Sequence, residues 1–318
     1  MPNSTELENP GLLTTHAHPW RGYFLIATAA LCWGAAATFG KAAFNGSIFA
    51  GHPLISPVVL SQTRTTFSAF LLAAFLLVRF GPQFFRINKR DLGLSFLVGT
   101  LGVTGSNFFY YFAVQKATVA IAIILQYTAP VWVLLYMVAR GRQKATLQRV
   151  IAVTVVLVGI ILTNTGFKVS ALGAASAMLA SFSFAFYNIA AQGLVERHHP
   201  LKIMVYVVGS SALFWTVANP PWRLAAQNFV PGQWLALFLF ACISMLLPYL
   251  LYFTGLKYLD PTRAVVTACL EPVFAILFAA IFVHEGLHAL QTVGIVAVLA
   301  ATVMVQLQGR SAPLPEVV

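Results

Sequence analysis

The stretch "VTACLEPVFAIL", residues 266–277, places Glu271 and Pro272 inside a long apolar run. A carboxylate at the centre of a membrane helix costs about 2.5–3.5 kcal/mol of insertion free energy, so Glu271 needs a partner, water or a proton. Pro272 lacks an amide hydrogen and predicts a kink. Two interpretations stay open. Glu271 lines a cavity and meets a substrate amine or a proton, or it makes a buried hydrogen bond that fixes the kink.

Two cations also lie within apolar runs. Lys41 is close to the end of its run and can extend its side chain to the interface, whereas Arg64 lies deeper. The planar guanidinium of Arg64 suits a substrate carboxylate, and it equally suits backbone carbonyls at helix ends. A direct pair between Arg64 and Glu271 is a third arrangement. The residues that we assign to gating or structural roles are Lys41, Arg64, Pro130, Pro248, Glu271 and Pro272.

Polar and aromatic side chains recur at helical spacing within other apolar runs. Asn107, Tyr110 and Tyr111 share one helix face, and Ser244 and Tyr252 share another. Aromatic bodies with polar tips suit an amphiphilic solute, and they also hold neighbouring helices together. The predicted substrate-binding residues are Trp33, Asn107, Tyr110, Tyr111, Gln126, Tyr187, Asn188, Ser244, Tyr249 and Tyr252.

The composition shows what must position these residues. The 318 residues are 59% hydrophobic and 8% charged, against about 25% charged in a soluble domain, so we predict an all-α integral membrane protein in a lipid bilayer. The net charge of +11 falls mostly in loops and does not indicate nucleic acid. Ten predicted spans cover residues 22–44, 57–79, 92–114, 118–139, 148–165, 171–194, 202–219, 232–255, 262–283 and 290–308.

The positive residues predict the orientation. With both termini in the cytoplasm, fourteen of the 19 Lys and Arg residues lie on the cytoplasmic side and three on the outer side, as the positive-inside rule requires. Residues 1–20 and 309–318 are then cytoplasmic tails.

The two halves of the chain resemble each other. "ILQYTAPVWVLL", residues 124–135, aligns with the stretch around Glu271 when Pro130 is matched with Pro272, and Ala129 then takes the place of Glu271. We expect five-span repeats over residues 21–165 and 171–308. Since five is odd, the halves enter the membrane in opposite directions around a central cavity, which is typical of transporters.

Other classes of function lack their motifs. The sequence contains no GxSxG, paired carboxylates or phosphate-binding glycine loop, and the string "HEGLH" at residues 284–288 falls in a predicted loop rather than on a helix, so neither an intramembrane enzyme nor direct use of ATP is indicated. A channel would show a charged ring or a repeated pore motif. Cys32, Cys242 and Cys269 lie in apolar runs and predict no metal site, and no cofactor is expected.

The chain resembles the drug/metabolite transporter superfamily in its EamA-type, ten-helix branch. The resemblance covers about residues 22 to 306 and rests on "LCWGAAATFGK", "QTRTTFSAFLLA", "YYFAVQKATVAIAIILQYTAPVW" and "YFTGLKYLDPTRAVVTACLEPVFAILFAAIFVHEGL". Within that branch it is most similar to YddG-type aromatic amino-acid exporters. The resemblance implies export of a small metabolite, an aromatic or other neutral amino acid, across a bacterial inner membrane. A cationic drug-like amine is the alternative substrate, and the sequence gives no oligomeric state.

The predicted orientation is tested by single cysteines introduced into a chain that lacks the three native ones. Gly46→Cys and Ala171→Cys should react with an impermeant thiol reagent in intact cells, because Gly46 lies in an outer loop and Ala171 at the outer end of the sixth predicted span. Asn88→Cys and Ser311→Cys should react only after permeabilisation. Labelling of Asn88→Cys in intact cells would reverse the orientation.

Overall fold

The computed structural model describes residues 19–44, 53–116, 122, 125–163, 170–282 and 289–307. These residues form helices and connections with no strand among them, so the all-α prediction is confirmed for this part of the chain. The long helices are α1 (Pro19–Phe44), α2 (Pro57–Phe80), α3 (Lys89–Lys116), α4 (Ala129–Ala139), α5 (Leu147–Thr163), α6 (Ala171–Val195), α7 (Pro200–Ala218), α8 (Pro231–Leu256), α9 (Pro261–Ala268), α10 (Glu271–Phe282) and α11 (Ala289–Leu307).

Five of the described helices, α2, α3, α6, α7 and α8, are long and apolar enough to cross a membrane. Shorter apolar helices cover Ala129–Ala139, Leu147–Gly159 and Thr292–Ala301. Residues 1–18 and 308–318, which include most of the predicted tails, lie outside the described residues. Lys41 belongs to α1, but its side chain is outside what the structure describes.

Polar side chains define where several helices begin. Ser56, Asn88, Ser170 and Asp260 each accept a hydrogen bond from a first-turn amide of α2, α3, α6 and α9, respectively. Such caps satisfy amides that have no partner within the helix. The ends of these helices are therefore defined by local chemistry as well as by hydrophobic length.

The predicted kinks at Pro130 and Pro272 are complete interruptions. α9 ends at Ala268, residues 269–270 form a turn, and α10 begins at Glu271. In the other half, a turn at residues 127–128 precedes α4 at Ala129. Proline suits the first turn of a new helix, where its missing amide hydrogen is not needed. Glu271 therefore begins a helix rather than lying in the middle of one.

Two of the long helices contain π-helical segments. They cover Val98–Thr104 in α3 and Cys242–Leu246 in α8. A π segment has more residues per turn than an α-helix, and such segments often occur at functional sites. It rotates the side chains that follow it, so the face predicted for Ser244 and Tyr252 from α-helical spacing is not preserved.

The helices pack in a limited set of pairs. α1 contacts α8, α9 and α10, while α6 contacts α3 and α4. α2 contacts α7, and α5 contacts α11. Each of these contacts joins a helix from residues 19–163 to one from residues 171–307, so the interior is built mainly from contacts between the two parts of the sequence.

Polar contacts join these two parts at both ends of the bundle. At the start of α3, the Asp91 carboxylate accepts from Arg197 Nη2 at 2.8 Å and pairs with His198 Nε2 at 2.7 Å. At the opposite end, Gln62 Nε2 donates to the Asn219 carbonyl at 2.7 Å, and Asn219 Nδ2 donates to Gln62 Oε1 at 2.6 Å. One end is closed by charged groups and the other by neutral amides.

Glycines allow α3 to approach its neighbours closely. A Cβ atom on Gly99 would lie 2.3 Å from the Val207 carbonyl oxygen, whereas one on Gly93 would meet no heavy atom within 4 Å. We expect Gly99→Ala to lower the free energy of unfolding by about 1–3 kcal/mol through overpacking, and Gly93→Ala to leave it unchanged or raise it. Thermal unfolding in detergent measures both, and equal Tm values for the two variants would contradict the packing described.

Candidate functional site

A small cavity lies where α1, α2, α3, α6, α8 and α10 meet the turn before α4. The space for the centres of water-sized molecules is about 40 Å³, which is room for roughly three waters. Its lining combines aromatic rings with polar and charged groups: Trp33, Ala36, Arg64, Ser106, Asn107, Tyr110, Tyr111, Gln126, Tyr127, Phe184, Tyr249 and Glu271.

Arg64, from the first half of α2, is 2% exposed and supplies the positive charge of the cavity. Its Nη1 donates to Asn107 Oδ1 at 3.1 Å and to the Tyr111 hydroxyl at 2.8 Å, and its Nη2 donates to the Ser244 carbonyl at 2.6 Å. The guanidinium also lies 5.1 Å from the centre of the Tyr111 ring. Among the described residues it makes no ion pair, so neutral groups alone hold this cation.

Asn107 connects Arg64 to the other part of the sequence. Its Nδ2 donates to the Tyr249 hydroxyl at 2.8 Å and to the Val103 carbonyl at 2.7 Å, while its Oδ1 accepts from Arg64. The amide is therefore satisfied on both sides. Its bond to Tyr249 joins the π-bearing helices α3 and α8 beside the cavity.

Glu271 supplies the negative charge and is 9% exposed. Its Oε2 accepts a hydrogen bond of 2.5 Å from the hydroxyl of Tyr127. Since Glu271 is the first residue of α10, its carboxylate lies at the positive end of a helix dipole, which stabilises a negative charge. No ion pair joins Glu271 to Arg64 within the described residues.

Aromatic rings form one wall of the cavity and the layer behind it. The Trp33 ring packs edge-on against Tyr249 at 5.5 Å and tilted against Tyr252 at 5.3 Å between centroids. Tyr187 stacks on Tyr249 at 6.1 Å. The Tyr252 hydroxyl donates to Asn188 Oδ1, away from the lining set.

Two polar groups of the cavity are weakly engaged. The Tyr110 hydroxyl is buried and has no hydrogen-bond partner among the described residues. Gln126 Nε2 lies 3.4 Å from Ser106 Oγ, a long hydrogen bond. These groups can bond a solute without first losing a strong internal contact. The described residues include no cluster of His, Cys, Asp or Glu that could hold a metal ion.

The structure separates the candidate residues into two groups. Those that line the cavity are Trp33, Arg64, Asn107, Tyr110, Tyr111, Gln126, Tyr249 and Glu271. Tyr187, Asn188, Ser244 and Tyr252 are buried but do not line it. On α8, Tyr249 therefore lines the cavity as predicted, whereas Ser244, in the π segment, and Tyr252 do not. Pro130, Pro248 and Pro272 are buried near the starts of helical segments.

Sequence reasoning did not assign Ala36, Ser106, Tyr127 or Phe184 to the site. Tyr127 carried the clearest signal, because it lies two residues before Ala129, the position that matches Glu271. Ala36, Ser106 and Phe184 carried none, because their lining role depends on how the helices are rotated in the folded protein.

The Asn107 amide provides a test of this network. Asn107→Leu keeps a similar volume but removes one acceptor from Arg64 and the donor to Tyr249. We expect the free energy of unfolding to fall by about 1–3 kcal/mol, since a buried polar group is left unsatisfied. Asn107→Asp, which still accepts from Arg64 and can accept from the Tyr249 hydroxyl instead of donating to it, should unfold closer to the parent Tm in detergent. A Leu variant as stable as the parent would show that the network contributes little.

Comparison with known proteins identifies the family. A sequence profile of the EamA-like transporter family matches residues 20–165 and again residues 171–307. The threonine/homoserine exporter RhtA of Escherichia coli (strain K12) is 28% identical over 266 residues, which cover 83% of this chain and 85% of the relative. An uncharacterized transporter of Archaeoglobus fulgidus is 27% identical over 210 residues, covering 64% of this chain and 74% of the relative.

A protein of known crystal structure supports the fold alone. It superimposes with a TM-score of 0.70 over 91% of this chain and 97% of its own, at 18% sequence identity. The matched family and the named relatives are membrane transporters rather than enzymes. Both matched ranges together cover nearly the whole chain, which belongs to the EamA-like transporter family.

Proposed function

We propose that this protein is a secondary exporter of a neutral, zwitterionic amino acid, working by alternating access between two inverted halves. The observation that carries the proposal is one buried positive and one buried negative charge, Arg64 and Glu271, on the walls of a single cavity. The rest of the lining is aromatic or neutral. Such a site is complementary to a small solute that carries both charges.

Several features support ten spans in a 5+5 inverted repeat. The family profile matches two successive ranges of similar length. The contacts of α1 with α8 and α10 correspond to those of α6 with α3 and α4 when the halves are exchanged, and α2 pairs with its counterpart α7. Asn107 and Tyr249 are 142 residues apart, the spacing of Pro130 and Pro272, so their bond joins near-equivalent positions of the repeat.

Alternating access is supported by where the cavity lies and how it is closed. Transporters with inverted repeats place the substrate between the halves, beside interrupted helices. Here the cavity borders the starts of α4 and α10, and polar contacts join the halves at both ends of the bundle. Since the space admits roughly three waters, an amino acid enters only when the halves separate at one end.

The charges favour a zwitterion over a cation. We place the substrate carboxylate toward Arg64 and Gln126, and the ammonium toward Glu271. Arg64 lines the same cavity as Glu271, so a cation near Glu271 loses part of its attraction to repulsion by Arg64. A zwitterion meets attraction at both poles, with Trp33, Tyr110 and Tyr249 around its side chain.

Two sources bear on the side chain of the substrate. The YddG-type resemblance favours an aromatic residue, and the aromatic wall agrees with it. The relative RhtA is a threonine/homoserine exporter, which favours a small hydroxylated residue. The proposed substrate contacts are Asn107, Tyr111 and the other predicted residues that line the cavity. The aromatic wall is supported from behind by Tyr187, Asn188, Ser244 and Tyr252.

We place the protein in a bacterial inner membrane with both termini in the cytoplasm. The bias of fourteen positive residues against three supports the orientation. It puts the charged closure at Asp91 on the cytoplasmic side and the Gln62–Asn219 closure on the outer side. Export then begins when the contacts of Asp91 with Arg197 and His198 separate on the cytoplasmic side.

Transport by the purified protein in liposomes tests the function. We expect saturable uptake of labelled phenylalanine, threonine or homoserine, and none of a tetraalkylammonium ion, with and without a pH gradient. Glu271→Gln should lower amino-acid uptake at least about tenfold, because it removes the charge that attracts the ammonium, while the amide still accepts from Tyr127 and preserves folding.

Glu271→Leu is the matched control, since it removes the acceptor as well and should also lower Tm. Uptake of the quaternary ion without uptake of any amino acid would replace the proposal with export of cationic amines. Near-parental uptake by Glu271→Gln would return Glu271 to a structural role.

A further inference from the structure

The two interrupted helices are joined by one side-chain contact across the cavity. Tyr127 lies in the turn just before α4, and Glu271 is the first residue of α10. The Tyr127 hydroxyl donates to Glu271 Oε2 at 2.5 Å, and both residues line the cavity. In the proposed repeat, Tyr127 and Glu271 each lie at or beside the helix interruption of their own half.

This contact occupies one oxygen of the Glu271 carboxylate. Within the described residues, Tyr127 is the side chain that hydrogen-bonds to Glu271. Tyr127 is 1% exposed, and its ring is held edge-on to Phe184 at 6.2 Å between centroids. The hydroxyl is therefore aimed by packing of its ring, and a substrate ammonium that approaches Glu271 Oε2 meets an oxygen that already accepts a hydrogen bond.

A phenol and an ammonium compete unequally for a carboxylate. The phenol offers one neutral donor, whereas an ammonium offers three donors and a full positive charge. In a cavity with little water, the charge adds an attraction that the phenol lacks. A primary amine can therefore displace Tyr127, while a solute without an amine cannot.

We propose that Tyr127 is a positioning residue that holds Glu271 in the empty transporter and is displaced by the substrate ammonium. The proposal rests on the proposed function, because it takes an amino acid as the solute. Displacement separates the starts of α4 and α10, so that occupation of the site loosens the contact between the two halves. Recognition of the substrate amine and release of the two halves are thereby the same step, the displacement of Tyr127.

Binding measurements on Tyr127→Phe test this proposal. The variant keeps the ring beside Phe184 and removes only the competing hydroxyl. We expect the Kd for phenylalanine to fall about tenfold, the equivalent of one charge-assisted hydrogen bond no longer broken. The Kd for hydrocinnamate, which is phenylalanine without its amino group, should not change. Threonine and β-hydroxybutyrate form the second pair of ligands.

Tyr110→Phe is the matched control, because it removes a hydroxyl from the same cavity that has no hydrogen-bond partner among the described residues. It should change the Kd values of amine-bearing and amine-free ligands in the same ratio. Tyr127→Phe with equal effects on both ligands, or with none, overturns the role of Tyr127 and leaves the proposed function intact. A parent protein that binds neither amino acid overturns both.

Glu271→Gln keeps the proposal testable where Tyr127→Phe does not fold. It retains an acceptor for Tyr127 but not the charge, so it should lose the preference for phenylalanine over hydrocinnamate. If that preference persists in the folded variant, Glu271 is not the group that binds the ammonium and the displacement proposal is wrong.

Discussion

A polar group inside a membrane protein must find its partner within the protein, because lipid offers neither hydrogen bonds nor solvation. Arg64 and Glu271 illustrate two solutions. Arg64 is held by an amide, a phenol, a backbone carbonyl and two aromatic rings, none of which carries a charge. Glu271 is held by one phenol and by the start of a helix. Both charges remain uncompensated by an ion pair in the described residues, and both lie beside the same cavity.

The same constraint explains the interrupted helices. Breaking a helix exposes amides and carbonyls that lipid cannot satisfy, so a break is tolerated only where protein or water surrounds it. At the break before α10, the amides of Cys269 and Leu270 bond back into the preceding turn, and Pro272 has no amide hydrogen to satisfy. The first turn of α10 then points its positive end at the Glu271 carboxylate. The break therefore provides part of the stabilisation that an acidic side chain needs at this depth.

The sequence predicted the all-helical class and most of the residues that line the cavity. Two signals can be read from a single chain: charged residues in apolar runs, which are energetically costly, and the helical spacing of polar residues. Glu271 and Arg64 stood out since charges in apolar runs are expensive, and Asn107, Tyr110 and Tyr111 stood out by their spacing. Partners were not predictable, because they depend on the rotation of each helix. Of the three candidates on α8, Tyr249 lines the cavity, while Ser244 lies in the π segment and Tyr252 donates to Asn188. Tyr127 was missed because its place beside Ala129, the counterpart of Glu271, does not by itself show that its hydroxyl faces that carboxylate.

Corresponding positions in the two halves carry different chemistry. Asp91, in the first turn of α3, is capped by Asn88 and contacts Arg197 and His198. Gln233, in the first turn of α8, accepts from the Val230 amide at 3.2 Å and donates to the Pro53 carbonyl at 2.9 Å. The contact of Asp91 is ionic and that of Gln233 is neutral. If the two halves exchanged conformations, the contact broken and the contact formed would therefore differ in energy. Under the proposed alternating access, two conformations related by that exchange therefore differ in free energy and in population. Such a difference changes which side of the protein is open more often. It does not set the net direction of transport, because a carrier without an energy source moves its solute down the concentration gradient, whichever of the two contacts is stronger.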